Sequence, residues 1–237
     1  MERIRLLIFK RFFIVPFWYF MICRYAKSNK YSEKEKYGFL HKLVKKINKA
    51  GNVNVVIEGT EKVPKENGYI IFPNHQGLFD ALVIIEASEA PVTFVMKKEV
   101  EKHWFLKKIV RVINAQTIDR DDVRQSLTVI KNVTNEVKEG RNYVIFAEGT
   151  RSKNGNHLQE FKGGSFKSAY NAKCPIVPVA LIDSYKAFDN KSIKKITVKM
   201  SYLEPIYYEE YKDMKTSEIA KVVRERIKSY IEKNENI

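Results

Sequence analysis

The sequence predicts an α/β fold in which helices sandwich a mixed, partly parallel sheet, preceded by an amphipathic two-helix segment. After Gly51, short segments rich in β-branched and aromatic residues alternate with segments of helical periodicity, as in folds that layer helices on a sheet. Before Gly51 the chain is strongly basic and has no strand pattern. We therefore expect a helical appendage at residues 1–50 and an α/β domain at residues 51–237.

The excess of positive charge is concentrated in the N-terminal part. The chain carries 43 Lys and Arg against 28 Asp and Glu, a formal net charge of +15 at pH 7. Residues 1–50 alone contain thirteen of these cationic residues and only three acidic ones. Such a segment attracts an anionic partner, for example nucleic acid, an anionic membrane or a phosphorylated substrate.

The first thirty residues, MERIRLLIFKRFFIVPFWYFMICRYAKSNK, begin basic and become apolar. They do not fit a secretory signal peptide, because the apolar stretch is rich in aromatic residues and no small-residue cleavage site follows it. The stretch is shorter than the roughly 20 apolar residues of a spanning helix, and Pro16 is expected to kink it. Aromatic rings flanked by cations suit an anionic bilayer surface better than a protein core. The residues expected to contact the membrane are Phe12, Phe13, Phe17, Trp18, Tyr19 and Phe20.

A second amphipathic helix is predicted at residues 34–49. Tyr37, Leu40, Val44 and Ile47 recur at helical spacing, with lysines around the rest of the helix. The pattern is compatible with two roles, a helix that covers the core and a helix that touches the membrane.

Six strands and five helices are predicted after residue 50. The strands are 53–59, 69–74, 92–97, 143–149, 175–181 and 195–200; the helices are 79–88, 105–113, 122–138, 165–172 and 217–233. Asp121 or Asp122 is expected to cap the third of these helices. Since ligands of such folds collect where strands end, the loops after the strands are the first place to seek a site.

The stretch FPNHQGLFDAL, residues 72–82, carries a histidine and an aspartate in one of these loops. On a continuous helix, residues five apart point away from each other, but His75 and Asp80 can meet across a loop that enters a helix, and Gly77 allows the bend. A carboxylate on Nδ1 would leave Nε2 free to take a proton. From this motif alone, a histidine that hydrogen-bonds the backbone for structural reasons is the commoner explanation.

Two further loops supply groups that suit a phosphate. FAEGTRSKNG, residues 146–155, follows a predicted strand, and FKGGSFKSA, residues 161–169, precedes a helix. Backbone N–H groups at a helix start, together with nearby cations, bind phosphate well. The cations here are Arg151, Lys162 and Lys167. AQTIDRDD, residues 115–122, adds Arg120, for which a surface ion pair is the alternative explanation.

Other kinds of catalytic site are not indicated. Cys23 and Cys174 lie far apart among apolar residues, without a CxxC pattern, so we expect neither a disulfide framework nor a zinc site. For the same reason we expect an intracellular protein. The chain has no GxSxG elbow and no HExxH motif. If His75 is a base, the nucleophile must therefore belong to the substrate, and we expect no metal.

Four motifs together resemble a known family. In order and spacing, NHQGLFD, TIDR, FAEGTRS with the following FKGG, and PIVPVAL resemble the four sequence blocks of the glycerolipid acyltransferases, in particular the bacterial 1-acyl-sn-glycerol-3-phosphate acyltransferases of the lysophosphatidic acid type. The resemblance extends over residues 53–203. It implies a mixed α/β sandwich and a membrane-embedded amphipathic N-terminus.

The resemblance also implies roles for individual residues. His75 would be the general base and Asp80 its orienting partner in acyl transfer to lysophosphatidate, without an acyl-enzyme. The residues matching those that bind the phosphorylated acceptor are Arg120, Glu148, Gly149, Thr150 and Arg151, and Lys162 follows them as a phosphate cation. Pro178 lies in the fourth block, where packing in a core strand is as good an explanation as ligand contact.

These observations predict an enzyme of phospholipid biosynthesis at the cytoplasmic face of the cell membrane, monotopic or peripheral. We expect it to use acyl-ACP or acyl-CoA as co-substrate, to form phosphatidic acid and to need no further cofactor. Two alternatives stay open: another acceptor, such as glycerol 3-phosphate or a different lysophospholipid, and a non-catalytic protein that binds anionic lipid. Nucleic acid is disfavoured because the aromatic residues cluster in the first segment rather than across the body.

Overall fold

Seven strands form one sheet, and helices cover both of its faces in the computed structural model, which describes residues 2–234. The strands are β1 (Val53–Glu58), β2 (Ile70–Pro73), β3 (Val92–Lys97), β4 (Gln116–Ile118), β5 (Asn142–Val144), β6 (Ile176–Ile182) and β7 (Ile196–Tyr202). The α-helices are α1 (Glu2–Lys10), α2 (Val15–Lys27), α3 (Glu33–Ala50), α4 (Asp80–Ala87), α5 (Leu106–Val112), α6 (Val123–Lys138), α7 (Lys167–Ala172), α8 (Tyr208–Tyr211) and α9 (Thr216–Asn234).

The sheet is mixed, which confirms the predicted fold class. Its strand order is β1-β7-β6-β2-β5-β3-β4. Neighbouring strands are parallel everywhere except between β6 and β7, which are antiparallel. Strands β2, β3, β4, β5 and β6 therefore end at the same edge, and the loops that follow them meet there.

Alternate residues of the central strands enter two different hydrophobic clusters. In β2, Ile70 and Phe72 belong to the cluster under α6, α7 and α9, whereas Ile71 belongs to the cluster under α3 and α4. Side chains on a strand point alternately to its two faces, so a strand that is apolar at every position must be covered on both sides. This explains why β2 and β6 are continuous apolar runs. The loops of the candidate site begin at the ends of these two buried strands.

The sequence missed some elements and overextended others. β4 was not predicted, because three half-buried residues beside a polar loop give little strand signal. β5 ends at Val144, although an apolar pattern continues, because the chain turns into the site after Ile145, whose N–H makes a last bond to the Ile71 carbonyl of β2 at 2.9 Å. Asp122 caps α6 as expected, and its side chain accepts a hydrogen bond from the Gln125 backbone N–H at 3.0 Å.

The second predicted N-terminal helix is α3, and it covers the core. Tyr37, Leu40 and Val44 are buried in the same cluster as α4 and the sheet, and Ile47 packs against it. A capping box formed by Ser32 and Glu35 starts the helix. Of the two roles that the sequence left open for this helix, core covering is the one observed.

The first predicted helix is two helices, α1 and α2, bent by 102° at a break just before Pro16. Within residues 2–234 no single helix has the length and apolar composition of a membrane span, whereas α1 and α2 taken together do. Four of the six aromatic residues expected to contact a membrane have more than half of their surface exposed, namely Phe12, Phe13, Phe17 and Phe20. Tyr19 is 36% exposed, but Trp18 is only 7% exposed and belongs to the core cluster. The surface available to a membrane therefore does not include Trp18.

Arg3 fastens α1 to the α/β domain. Its guanidinium is buried and donates from Nη1 to the Gly51 carbonyl and from Nη2 to the Lys194 carbonyl, both at 2.7 Å. Burial lowers the pKa of Arg3. Lys10, at the other end of α1, donates to the Asn52 side chain at 2.8 Å. The helix is thus held at both ends against the turns that precede β1 and β7.

Candidate active site

His75 and Asp80 meet across the loop between β2 and α4. His75 follows the end of β2 by two residues, and Asp80 is the first residue of α4. The His75 Nδ1 atom lies 2.7 Å from Asp80 Oδ2. The Asp80 side chain is fully buried, whereas 20% of the His75 side chain is exposed. The turn therefore brings together two residues whose spacing would separate them on a regular helix.

Asp80 is surrounded by hydrogen-bond donors. Its Oδ2 accepts from the backbone N–H groups of Gln76 at 2.7 Å and Gly77 at 2.9 Å, in addition to His75. Its Oδ1 accepts from the Ser184 hydroxyl at 2.5 Å. Because Oδ2 already accepts from two N–H groups, it acts as an acceptor toward the ring, so His75 Nδ1 carries the hydrogen. The other ring nitrogen, Nε2, is then an acceptor in the neutral imidazole.

Ser184 is a site residue that the sequence did not indicate. It follows the carboxyl end of β6 and is fully buried. The residue lies 104 positions from Asp80 along the chain, and no local motif marks it. Only the position of β6 beside β2 brings the two together, so no sequence pattern could have identified it.

Two buried amide side chains hold the same loops in register. Asn74 donates to the Leu181 carbonyl at 3.0 Å and accepts from the Leu181 N–H at 2.7 Å. Gln76 donates to the same carbonyl at 2.9 Å and accepts from the Ser184 N–H at 2.8 Å. These bonds satisfy backbone groups where the strands end, and they fix the end of β2 relative to β6.

The loop after β5 contacts both the ring and the backbone of His75. The ring stacks on Phe146, with ring centroids 4.1 Å apart. The His75 backbone N–H donates to Glu148 Oε1 at 2.8 Å, and the His75 carbonyl accepts from the Ser152 N–H at 2.7 Å. The loop after β5 thus holds the histidine in place through a ring contact and two hydrogen bonds.

Glu148 points into the protein rather than toward solvent. The residue is 2% exposed, and its second carboxylate oxygen accepts from the Gln159 N–H at 3.2 Å. Burial raises the pKa of Glu148, although the hydrogen bonds from His75 and Gln159 oppose the shift. In this position the carboxyl group ties the His75 loop to the 146–159 loop, and its contact with a substrate stays a prediction.

Three exposed cations surround the turn at Gly149. Arg120, two residues after β4, donates from Nη1 to the Gly149 carbonyl. Arg151 is exposed and has no hydrogen bond or ion pair with any residue in the range 2–234. The ammonium group of Lys162 lies against Gly149, since a Cβ added there would stand 3.1 Å from Nζ. With φ at +77°, Gly149 needs the conformational freedom of glycine.

The remaining predicted site residues have other surroundings. The Thr150 hydroxyl donates to the Gln159 side chain at 3.1 Å at the exposed side of the turn. Pro178 is buried in β6, paired with Phe72, so the core-strand explanation for it is confirmed. A Cβ on Gly163 would stand 2.9 Å from the Ser217 backbone nitrogen, so this glycine permits close packing against α9.

The arrangement combines an oriented histidine with a cationic rim. His75, Arg120, Glu148 and Ser184 follow β2, β4, β5 and β6, all at one edge of the sheet. Such a site can take a proton from a hydroxyl group and hold an anion beside it. In residues 2–234 no three His, Cys, Asp or Glu side chains are grouped to hold a metal ion, and the expectation that no metal is used stays a prediction.

Comparison with known proteins gives relatives described as 1-acyl-sn-glycerol-3-phosphate acyltransferases. The chain is 35% identical over 152 residues to a probable 1-acyl-sn-glycerol-3-phosphate acyltransferase of Mycoplasma genitalium, covering 62% of this chain and 56% of the relative. It is 28% identical over 136 residues to the 1-acyl-sn-glycerol-3-phosphate acyltransferase of Borreliella burgdorferi, covering 57% and 54%. The matched part thus spans little more than half the length of these relatives.

The fold also has a solved counterpart. The crystal structure of the 1-acyl-sn-glycerophosphate (LPA) acyltransferase PlsC from Thermotoga maritima superposes with a TM-score of 0.77 over 98% of this chain and 97% of that chain, at 23% identity. The model of the acyltransferase family matches residues 54–182, which is more than half of the chain and includes the His75 loop, the cationic turn and β6. The chain therefore belongs to the acyltransferase family.

Proposed function

We propose that this protein transfers a fatty acyl group from a thioester to the sn-2 hydroxyl of 1-acyl-sn-glycerol-3-phosphate, forming phosphatidic acid. The observation that carries the proposal is the hydrogen bond of 2.7 Å between His75 and the buried Asp80, at the rim of a cationic turn. The names of the relatives support the same acceptor, because those from Mycoplasma genitalium and Borreliella burgdorferi are both described as 1-acyl-sn-glycerol-3-phosphate acyltransferases.

In the proposed mechanism His75 is the general base. Its Nε2 takes the proton from the acceptor hydroxyl while the hydroxyl oxygen attacks the thioester carbonyl carbon. The tetrahedral intermediate collapses with cleavage of the C–S bond, and the proton passes from Nε2 to the departing thiolate. Asp80 keeps Nδ1 protonated and stabilises the imidazolium that forms between these two transfers.

The substrate supplies the nucleophile in this mechanism. Among residues 2–234, the hydroxyl that contacts the pair belongs to Ser184, and it donates to Asp80 rather than to His75 Nε2. Ser184 is also fully buried, so an acyl group has no access to it. A direct transfer, without a covalent enzyme intermediate, fits this geometry.

The three cations at the Gly149 turn would bind the phosphate of the acceptor. Arg120 lies in the loop after β4, Arg151 and Lys162 lie at two points of the long connection after β5, and all three are exposed. A phosphate between them would receive charge-assisted hydrogen bonds from more than one direction. Binding at this turn would hold the glycerol backbone beside His75, because the Ser152 N–H donates to the His75 carbonyl.

The donor and the cellular location belong to the same proposal. Acyl-ACP or acyl-CoA would supply the acyl group, and no other cofactor is needed because a thioester has a good leaving group. The exposed aromatic residues of α1 and α2, among many cations, would rest on an anionic membrane at the cytoplasmic face. Both the lysophospholipid acceptor and the product reside in such a membrane.

Product analysis tests the proposal directly. Purified protein is incubated with lysophosphatidate and mixed acyl-ACP and acyl-CoA donors, and the products are identified by mass spectrometry. We expect phosphatidic acid, and we expect the His75→Ala variant to lose activity by at least about 10²-fold. His157→Ala is the matched control, since this histidine is exposed and makes no side-chain hydrogen bond, ion pair or ring contact within the described residues.

Three results would change the assignment. Turnover only with glycerol 3-phosphate or with another lysophospholipid would keep the chemistry and replace the acceptor. Turnover only with a non-phosphorylated acceptor would contradict the phosphate role of Arg120, Arg151 and Lys162. Full activity of a folded His75→Ala protein would exclude His75 as the base, and circular dichroism establishes whether that variant is folded.

A further inference from the structure

An exposed tryptophan lies outside the N-terminal helices. Trp104 stands between the 3-10 helix Lys98–Lys102 and α5, and it is 64% exposed. Trp104 lies in a helical turn that leads into α5, because the Lys107 backbone N–H donates to the His103 carbonyl at 2.9 Å. Indole rings are large and mostly apolar but carry a polar N–H, and they are enriched at interfaces and at the headgroup level of membranes.

Cations accompany Trp104 on the same side of α5. Positions 104, 107, 108 and 111 follow the i, i+3, i+4, i+7 spacing of one helix face, and they carry Trp104, Lys107, Lys108 and Arg111. Lys102 precedes them. Within residues 2–234 none of these four cations lies within ion-pair distance of a carboxylate. We call these five residues, Lys102, Trp104, Lys107, Lys108 and Arg111, the α5 patch.

The opposite face of α5 packs on the core. Val110 and Val112 are buried, and Ile109 packs against the larger core cluster. The helix therefore cannot rotate to hide Trp104. The patch is a fixed surface that combines one large apolar group with four positive charges, none of which forms a salt bridge within residues 2–234.

The α5 patch is continuous with the aromatic surface of α2. The rings of Trp104 and Tyr19 meet edge to face, with centroids 5.6 Å apart, and Lys108 Nζ lies 6.0 Å from the Tyr19 ring centroid. Phe17 and Phe20, on the same helix as Tyr19, are 56% and 59% exposed. Two elements far apart in sequence thus form one aromatic and cationic surface.

We propose that the α5 patch is a second membrane contact and that its partner is an anionic lipid bilayer. Tryptophan prefers the headgroup level of a bilayer, and lysine and arginine beside it reach the lipid phosphates. An acidic protein could form ion pairs with the cations. It would not explain why the Trp104 indole lies on the same surface as the exposed phenylalanines of α2. The inference rests on the membrane association proposed above and extends it from the N-terminal helices to the α/β domain.

The patch is connected to the candidate active site. It follows β3, whose carboxyl end lies at the same edge of the sheet as His75. Lys98 pairs with Asp119 at 3.4 Å, and Thr117 donates to Glu101 at 2.7 Å, so the segment before Trp104 is tied to the end of β4. Arg120, just after β4, in turn donates a hydrogen bond to the Gly149 carbonyl. A bilayer against Trp104 would therefore set the rim of the site at the level where lysophospholipid headgroups lie.

Tryptophan fluorescence tests the proposal without any catalytic readout. The chain has two tryptophans, and Trp18→Phe leaves Trp104 as the only one. The probe is this full-length variant mixed with vesicles of phosphatidylglycerol and phosphatidylcholine. We expect a blue shift of the emission, quenching by lipids brominated on the acyl chain, and protection from acrylamide. Vesicles of phosphatidylcholine alone should give a much smaller effect.

Charge reversal tests the cations separately. In the Lys107→Glu, Arg111→Glu double variant, we expect vesicle binding measured by sedimentation to weaken by at least about 25-fold, since each cation near an anionic surface contributes roughly fivefold. The matched control is Lys138→Glu, Lys221→Glu, which changes the net charge equally at exposed positions on α6 and α9. It should weaken binding much less.

Three outcomes would overturn the proposal. The protein could sediment with vesicles while acrylamide still quenches the Trp104 fluorescence fully. That result would restrict the membrane contact to α1 and α2. A blue shift produced by acyl carrier protein, but not by vesicles, would make the patch a protein-docking surface. Failure to bind vesicles at all would remove both membrane contacts, while acyl transfer to lysophosphatidate in detergent micelles would show separately whether the proposed enzymatic function stands.

Discussion

The substitution Asp80→Asn separates the charge of the proposed catalytic pair, His75 and Asp80, from its geometry. Oδ2 of Asp80 accepts from three N–H groups, whereas Oδ1 accepts, among residues 2–234, only from the Ser184 hydroxyl. An asparagine oxygen in the place of Oδ2 keeps the first three bonds. Its amide then faces Ser184, whose hydroxyl can accept instead of donate. The variant should therefore retain the orientation and the tautomer of His75, and lose only the negative charge.

The expected loss of activity follows from that charge. Unit charges about 4 Å apart interact by about 4 kcal/mol at an effective dielectric constant of about 20. In the proposed mechanism this interaction stabilises the imidazolium of His75 in the transition state and is absent from the ground state, so it acts on the rate. Since each 1.36 kcal/mol is roughly a factor of ten, we expect the rate constant kcat to fall about 10³-fold while KM changes little.

Initial rates with lysophosphatidate and an acyl thioester, together with thermal unfolding, provide the test. Asp189→Asn is the matched control, because this aspartate is exposed and makes no side-chain ion pair within the described residues. Asp80→Ala should be inactive and also destabilised by several kcal/mol, since it leaves buried donors without an acceptor. A folded Asp80→Asn protein that loses less than tenfold in kcat would refute the role of the carboxylate charge.

Three further substitutions probe groups that support the site. Ser184→Ala removes one donor from a buried carboxylate, so we expect about 1.5–3 kcal/mol lower stability in urea unfolding and roughly tenfold lower kcat; unchanged values would make this hydroxyl dispensable. Arg3→Gln removes the guanidinium that holds α1, and hydrogen exchange in α1 should become faster while the sheet amides keep their protection. In Glu148→Gln the pH dependence of stability should change. Because burial raises the pKa of Glu148 above 4.5, ionisation opposes folding, and the native protein should lose stability relative to this variant as the pH rises from 4.5 through the raised value. A difference in unfolding free energy that does not vary with pH would contradict this reasoning.

The alternation of segments after residue 50 was sufficient to predict the fold class. Apolar β-branched runs and amphipathic periods are local properties, and they identified six of the seven strands of the described residues. The exception, β4, has three residues, and its strand character arises from pairing with β3. Pairing is not encoded locally, and the residues of β4 are only half-buried, unlike the buried residues of the equally short β5, so β4 gives little strand signal.

The sequence could not decide which faces of the N-terminal helices are covered. α2 and α3 both carry aromatic residues among cations, yet α3 packs on the core and α2 leaves Phe17 and Phe20 exposed. Trp18 is the clearest example, because it is buried in the core cluster although its neighbours in α2, Phe17 and Tyr19, are exposed. Composition identifies amphipathic helices, but only packing against α5 and the sheet determines which rings remain on the surface.

For the candidate site, local motifs were enough to propose which residues carry the chemistry, because His75, Asp80 and the cations stand in recognisable patterns at predicted strand ends. The sequence could not determine what holds them. Glu148, an expected substrate contact, is buried and bonds the His75 backbone 73 residues away, and Ser184 reaches Asp80 across 104 residues. Such contacts form only where β5 and β6 both pair with β2 in one sheet. A short motif contains the candidate reactive groups, whereas the tertiary fold decides their partners, since hydrogen-bond geometry depends on which strands are neighbours and not on distance along the chain.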